Sequence, residues 1–261
     1  MKNIKYIAIV TLLVSLTISC KKEPSRWPDK IATDEVGEFV LVERSDSGFV
    51  MGSDDIEGSS PAHKVDFSKP YYIGMYEVTQ AQWEQIMGSN PSEIKGEDKP
   101  VTNISVDDIN KFIKALNEKS GRVFRLPTEA EWEFAAMGGT KSKGFAYSGS
   151  DNADDVAWFA DNSGDDLHSV GLKQPNELGV YDMSGNAAEW CNDRFAAYTN
   201  KTQTDPTGPT TGSYRVYRGG MFDFSSEKCM NKTRLSTGNS SRLYNIGFRL
   251  VLTEPKSGEL K

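Results

Sequence analysis

The sequence predicts an α+β domain with little regular secondary structure, and three features carry that expectation. Two stretches place apolar residues at helical spacing directly behind capping residues. Several short runs rich in Val, Ile, Phe and Tyr end in turn residues, as strands do. After residue 138 comes a stretch of roughly eighty residues rich in Gly, Asn, Asp and Trp with neither period, which reads as structured loop rather than a second core.

The elements follow in chain order. Residues 39–53, FVLVERSDSGFVMGS, hold two β-rich runs around Ser45-Asp46-Ser47-Gly48 and predict a hairpin with a longer loop. Tyr71 to Val78 reads as a further strand, closed by Thr79, whose hydroxyl is placed to cap a short helix from Gln80 to about Gly88. Ser105 and Asp108 form a weakened capping box. The helix behind them carries Ile109, Phe112, Ile113 and Leu116 on one stripe and ends at Ser120-Gly121. Arg122 to Leu126 is extended. Thr128 and Glu131 form a full capping box for a helix from Glu129 to about Met137, closed by Gly138-Gly139. Two strands, Tyr214 to Arg218 and Ile246 to Leu252, finish the domain.

Composition narrows the function. The chain has 261 residues, 37 acidic against 30 basic side chains and a formal net charge of −7, so it lacks the basic excess a nucleic-acid binder needs. Its two histidines, His63 and His168, cannot build a three-histidine metal centre.

The N-terminus reads as an address. Lys2 and Lys5 precede an apolar run from Tyr6 to about Ile18 that is too short for a comfortable membrane span. Leu16-Thr17-Ile18-Ser19-Cys20 resembles a lipobox, with Thr17 where Leu is usual; the alternative is an ordinary signal peptide with a chance cysteine. Residues 1–19 are thus expected to be a lipoprotein signal peptide, with Cys20 lipidated and acylated strongly enough to hold the chain to a membrane. Residues 20–37 read as a polar tether, 38–252 as one domain and 253–261 as a polar tail. The expected location is a bacterial cell envelope, lipid-anchored, at the outer membrane on its periplasmic or surface face.

Phe49-Val50-Met51-Gly52, Tyr76-Glu77-Val78-Thr79, Lys99-Pro100-Val101, residues 125–133 (RLPTEAEWE), residues 179–186 (GVYDMSGN), Glu189-Trp190, Arg218-Gly219-Gly220 and Gly247-Phe248-Arg249 occur in this order. The ordered set resembles the formylglycine-generating enzyme, or sulfatase-modifying factor, family over residues 38–252. The resemblance implies that family's variant of the C-type lectin-like fold. It also implies structural calcium, whose ligand positions fall on Asp182, Gly185, Ala187 and Glu189. Two carboxylates and carbonyls exposed by a Gly-Asn turn suit that ion, while the alternative is that Asp182 and Glu189 merely cap turns. The acidic run of Asp151, Asp154, Asp155, Asp161, Asp165 and Asp166 reads as a solvated loop, the alternative being the family's other calcium site.

Active members of the family convert a cysteine of a protein substrate to formylglycine with molecular oxygen and copper held by two thiolates. Those thiolates lie four and nine residues after the Gly-Gly pair, here Phe224 and Cys229. Phenylalanine offers no donor, so the copper oxidase chemistry is expected to be absent. Cys229 is the remaining catalytic candidate, with Cys191 as a substitute ligand; the alternatives are a Cys191–Cys229 disulfide or two inert buried thiols. Arg218, Arg234, Arg242 and Arg249 are expected to pair with the acidic loops, and Trp83, Trp132, Trp158 and Trp190 to lie in the core.

The leading expectation is a membrane-anchored, calcium-stabilised binding or assembly module with a protein partner and no nucleic acid. The alternatives are an active family enzyme oxidising a cysteine of a protein substrate through Cys229, a surface carbohydrate-binding protein, or a lipoprotein of gliding or secretion machinery.

Overall fold

A computed structural model describes residues 27–259, so Cys20 and the expected signal peptide over 1–19 lie outside the described residues. Its strands are β1 (Lys30–Thr33), β2 (Gly37–Val42), β3 (Phe49–Met51), β4 (His63–Asp66), β5 (Tyr71–Gly74), β6 (Phe124–Arg125) and β7 (Ala157–Trp158). After these come β8 (Ser184–Gly185), β9 (Ala188–Arg194), β10 (Gln203–Thr204), β11 (Tyr214–Arg218), β12 (Arg234–Gly238), β13 (Ile246–Gly247) and β14 (Val251–Leu252). The helices are α1 (Gln80–Met87), α2 (Val106–Ser120), α3 (Glu129–Ala136) and α4 (Ala153–Val156). Among the described residues, no helix is long and apolar enough to cross a membrane.

An antiparallel sheet ordered β1-β2-β5-β14-β6 forms the centre, and its side-chain alternation sorts the core into two faces. Phe39, Leu41, Tyr72 and Leu252 face α1 and α2, where they meet Trp83, Ile109, Phe112 and Leu116. Val40, Val42, Tyr71, Ile73 and Val251 point to the other face, against Ala130, Trp132 and Phe134 of α3. A second sheet, β12-β11-β9-β13, packs beside it and contributes to both clusters, Trp190 and Tyr217 to the first and Cys191 and Val216 to the second.

The three long helices form where their caps predict. Thr79, Ser105 and Thr128 each accept the N3 amide, and the N3 side chain of each helix answers the cap amide. Gly88 and Gly121 close α1 and α2 in the left-handed conformation. Ser105 and Asp108 thus make a complete capping box, stronger than the weakened one the sequence suggests.

Strand pairing differs from the expectation at four places. The hairpin over 39–53 is not formed: β2 lies between β1 and β5, while β3 pairs with β4 in another sheet. Residues Phe39–Val42 are buried throughout, which suits an interior strand and not an arm of an exposed hairpin. Lys30–Thr33, inside the stretch read as tether, pairs with β2, and Trp27 stacks on Tyr72 at 5.4 Å, so the ordered domain starts before Phe39. The final run divides into β13 and β14 in two different sheets because Arg249 turns inward between them. Within the stretch read as aperiodic, β9 is a seven-residue interior strand between β11 and β13. At the tail, Glu259 is ion-paired to Arg122.

β9 also caps α3. The Glu129 amide donates to Asp193 Oδ2 at 2.9 Å, so a carboxylate meets the positive end of the helix. Burial, with Glu129 close by, nevertheless pushes the Asp193 carboxyl up to about 7. The folded chain therefore holds this proton more tightly than the unfolded chain. The group's stabilising contribution is complete below about pH 4 and disappears as the pH rises through about 7, for a difference of up to about 4 kcal/mol. Asp193→Asn, which keeps an oxygen for the Glu129 amide, is expected to flatten the fall in melting temperature between about pH 5 and pH 8; a slope equal to that of the unaltered chain would contradict this.

Candidate functional site

The segment after β11 is where the sequence directs attention. Gly219 and Gly220 both adopt positive φ, and a side chain on Gly220 would come within 2.6 Å of Cys229 Sγ and 2.7 Å of the Lys228 carbonyl. That close approach seals Cys229. Its side chain is fully buried in an apolar cluster with Tyr147, Ala153, Val156, Ala157 and Phe159, and its thiol faces the Ser225 carbonyl at 3.8 Å. Burial pushes the thiol up to about 12. Phe224 is half-buried against the α1–α2 side of the core, in a different cluster from Cys229.

The two described cysteines do not form the disulfide considered above. Both are free and fully buried, Cys191 in the cluster beneath α3 and Cys229 in its own small cluster. Burial also raises the Cys191 thiol well above its usual value. Neither sulfur is poised as a thiolate.

The loop from Asp182 to Glu189 is built by backbone geometry. Asp182, Gly185 and Asn186 are all left-handed, and a side chain on Gly185 would meet the Trp158 carbonyl at 2.2 Å, so only glycine fits there. Asn186 donates to Glu77 Oε2 at 3.0 Å and accepts the His168 amide, and the Ala187 amide donates to Glu77 Oε1 at 3.1 Å. Glu77 is therefore the carboxylate that clamps this loop. The sequence reading assigned it no role, although a glutamate inside an apolar run was the available signal.

Glu189 is fully engaged from another direction. Arg249 donates to it through Nε at 2.7 Å and Nη2 at 2.5 Å, and Trp132 Nε1 adds a third bond at 2.7 Å. Asp182 takes the Gly171 amide on Oδ2 at 2.6 Å, while its Oδ1 is buried without a partner. Three buried carboxylates, Glu77, Asp182 and Glu189, thus surround one guanidinium. Desolvation first, then the neighbouring carboxylates, raises Glu77 well above the usual carboxylate range; desolvation pushes Asp182 up to about 6.

This arrangement bears on the calcium reading. Of the two carboxylates that reading requires, Asp182 keeps one free oxygen, but both oxygens of Glu189 are committed to Arg249 and Trp132. Of the expected calcium positions, Asp182 thus offers a buried free oxygen and Gly185 and Ala187 could offer only backbone carbonyls, while Glu189 is engaged by Arg249 and Trp132. The cation facing Glu189 is Arg249.

The arginines pair with carboxylates of helices and strands rather than with the acidic loops. Arg218 pairs with Glu133 and lies 3.6 Å from Glu129, and Arg234 grips Glu129 through Nε at 2.8 Å and Nη2 at 2.7 Å. Arg242 pairs with Asp108 at the exposed start of α2. The acidic loop is held by local contacts such as Asp151 to the Ala146 amide, and by the Lys99–Asp166 pair at 2.8 Å. Trp83, Trp132 and Trp190 are core residues. Trp158 is half-buried, stacked on His168 at 3.7 Å with the Lys173 ammonium over its ring.

The model of the sulfatase-modifying factor enzyme 1-like domain matches residues 26–254. A chaperone protein, LppX, of Paenibacillus barcinonensis is 36% identical over 207 residues, covering 56% of this chain and 74% of its own. The formylglycine-generating enzyme of Streptomyces coelicolor is 32% identical over 200 residues, and the match covers 69% of this chain and 60% of the enzyme. Among solved structures, the Treponema denticola variable protein 1 superposes with a TM-score of 0.80 at 30% identity, covering 87% of this chain and 100% of its own.

The two classes of arginine pair should separate on mutation. Arg249→Met leaves Glu189 buried and uncompensated and is expected to cost about 3–5 kcal/mol in chemical denaturation. Arg242→Met removes an exposed pair and is expected to cost less than about 1 kcal/mol. Equal costs would remove the Arg249–Glu189 pair from its central place.

Proposed function

The chain belongs to the sulfatase-modifying factor enzyme 1-like domain family and has that family's variant of the C-type lectin-like fold, and from this premise we propose that it is a binding or assembly module without cysteine-to-formylglycine oxidase activity. One observation carries the reading: of the two positions where the resemblance expects copper-holding thiolates, one is Phe224 and the other is a thiol sealed beneath Gly220. Copper(I) at such a centre requires two accessible soft donors. A phenyl ring supplies none, and the remaining thiol is sealed in an apolar cluster that pushes it up to about 12, with no second sulfur beside it. Cys191 is no substitute, because it is buried in a separate cluster beneath α3.

The partner in this reading is another protein. The relative named as a chaperone supports a role in handling proteins without chemistry on them. Cys20 would tether the module by lipid to a bacterial envelope membrane, with the outer membrane the proposed location.

The test uses the full chain, copper(I), oxygen and a peptide containing Cys-x-Pro-x-Arg, with mass spectrometry of the peptide and alkylation of the chain. Unchanged peptide is expected, with neither thiol alkylated in the native chain and both alkylated without reductant after unfolding. Oxygen-dependent conversion of the peptide that is lost in Cys229→Ser would overturn the reading in favour of an active enzyme.

A further inference from the structure

At the N-terminal end of α3 lies an open cavity of about 410 Å³, bounded by Glu129 and Ala130, the end of β9, the following loop through Pro209, and Met51, His63 and Arg234. Its inner wall holds two buried carboxylates, Glu129 and Asp193, in unequal circumstances. Glu129 is saturated. It receives Arg234 through two bonds and the Tyr198 hydroxyl at 2.9 Å, with Arg218 at 3.6 Å. Arg234 is likewise used up, its third nitrogen donating to the Ala196 carbonyl at 2.8 Å and its plane lying against the rings of Tyr198 (3.9 Å) and Phe195 (4.5 Å).

Asp193 has no such partner. Oδ2 takes the Glu129 amide, and among the described residues Oδ1 receives no hydrogen bond and no cation lies within ion-pair distance. Arg194, the nearest basic residue along the chain, donates its Nε to the Gly212 carbonyl instead. Arg215 of β11 attracts Asp193 electrostatically but forms no ion pair with it among the described residues, so this 5% exposed carboxylate in a cavity wall remains costly, and the cost falls if a donor from outside the chain occupies it. The same wall excludes an anion, since the α3 N-terminus that would attract one is already capped by Asp193. The Arg234–Glu129–Tyr198 arrangement, a cation held by a carboxylate beside an aromatic face, shows what kind of group this surface accommodates.

We propose that this cavity binds an alkylammonium or guanidinium group, with Asp193 as its carboxylate. The volume admits a side chain or a small amine together with a few flanking atoms. Polar groups of Thr199, Thr202, Gln203 and Thr207 line the mouth and suit the amide or hydroxyl groups such a ligand carries. The site is separate from the Phe224–Cys229 segment, so it stands whether or not the reading above does.

Calorimetry on the full chain at pH 8, where Asp193 is ionised, tests it with Nα-acetyl-lysine methylamide, Nα-acetyl-arginine methylamide and the neutral Nα-acetyl-norleucine methylamide. At least one cationic probe is expected to bind saturably and at least tenfold more tightly than norleucine, and to weaken at least tenfold in Asp193→Asn. Ala197→Trp, which blocks the cavity from an exposed loop position and leaves the buried wall intact, is expected to weaken it similarly, while Arg242→Met, outside the cavity lining, leaves it unchanged. Agmatine and putrescine decide the source: binding by them indicates a free amine, and binding by the amino-acid amides alone indicates a peptide side chain. No cationic preference, or binding indifferent to both Asp193→Asn and Ala197→Trp, overturns the proposal.

Discussion

The fold depends on a guanidinium and a carboxylate that have no contact with water. Arg249 leaves the chain between β13 and β14 and joins Glu189 of β9 to the carbonyls of Gly74 and Tyr181, at 3.0 and 2.9 Å. One side chain thereby ties the end of β5 in the central sheet to the middle of the second sheet. Burying this pair yields little net stabilisation compared with apolar residues, but removing either partner strands a charge, so the geometry around it is fixed. Splitting the last predicted strand into β13 and β14 is the backbone consequence.

The same chemistry recurs around α3, where all eight residues are buried although three are glutamates. Glu131 takes Arg125 through two bonds at 2.6 Å, Glu133 takes Arg218 and the Gly52 amide, and Glu129 takes Arg234. A helix of this kind cannot be read from amphipathicity, because it has no polar face; its charges are matched from strands β6, β11 and β12. The result is a rigid interior in which long loops are anchored without regular structure of their own, as Glu77 anchors the Asp182–Glu189 loop.

That rigidity also shapes the chemistry. The glycine pair lets the following turn close so tightly over Cys229 that the thiol becomes part of a small apolar core. The surplus polar chemistry of the domain lies elsewhere: in the unpartnered oxygen of Asp182 and in the open wall at Asp193.

Local signals in the sequence determined a good deal. Three capping boxes and two C-cap glycines act through contacts within four residues, so α1, α2 and α3 were legible together with the apolar stripe of α2. The ordered motifs identified the family, and Phe224 stands where the resemblance expects a copper-holding thiolate. What only the tertiary structure decided were long-range pairings. It placed β2 between β1 and β5 rather than in a hairpin, since strand runs specify an exposed pattern but not a neighbour. It exposed β9 in a stretch read as loop, because a strand buried on both faces shows no alternation. It matched each arginine with its glutamate, put Cys191 and Cys229 in separate cores, and committed Glu189 to Arg249. Ionic partners are chosen by proximity in space and by the cost of leaving a buried charge alone, and neither is written in the spacing of residues along the chain.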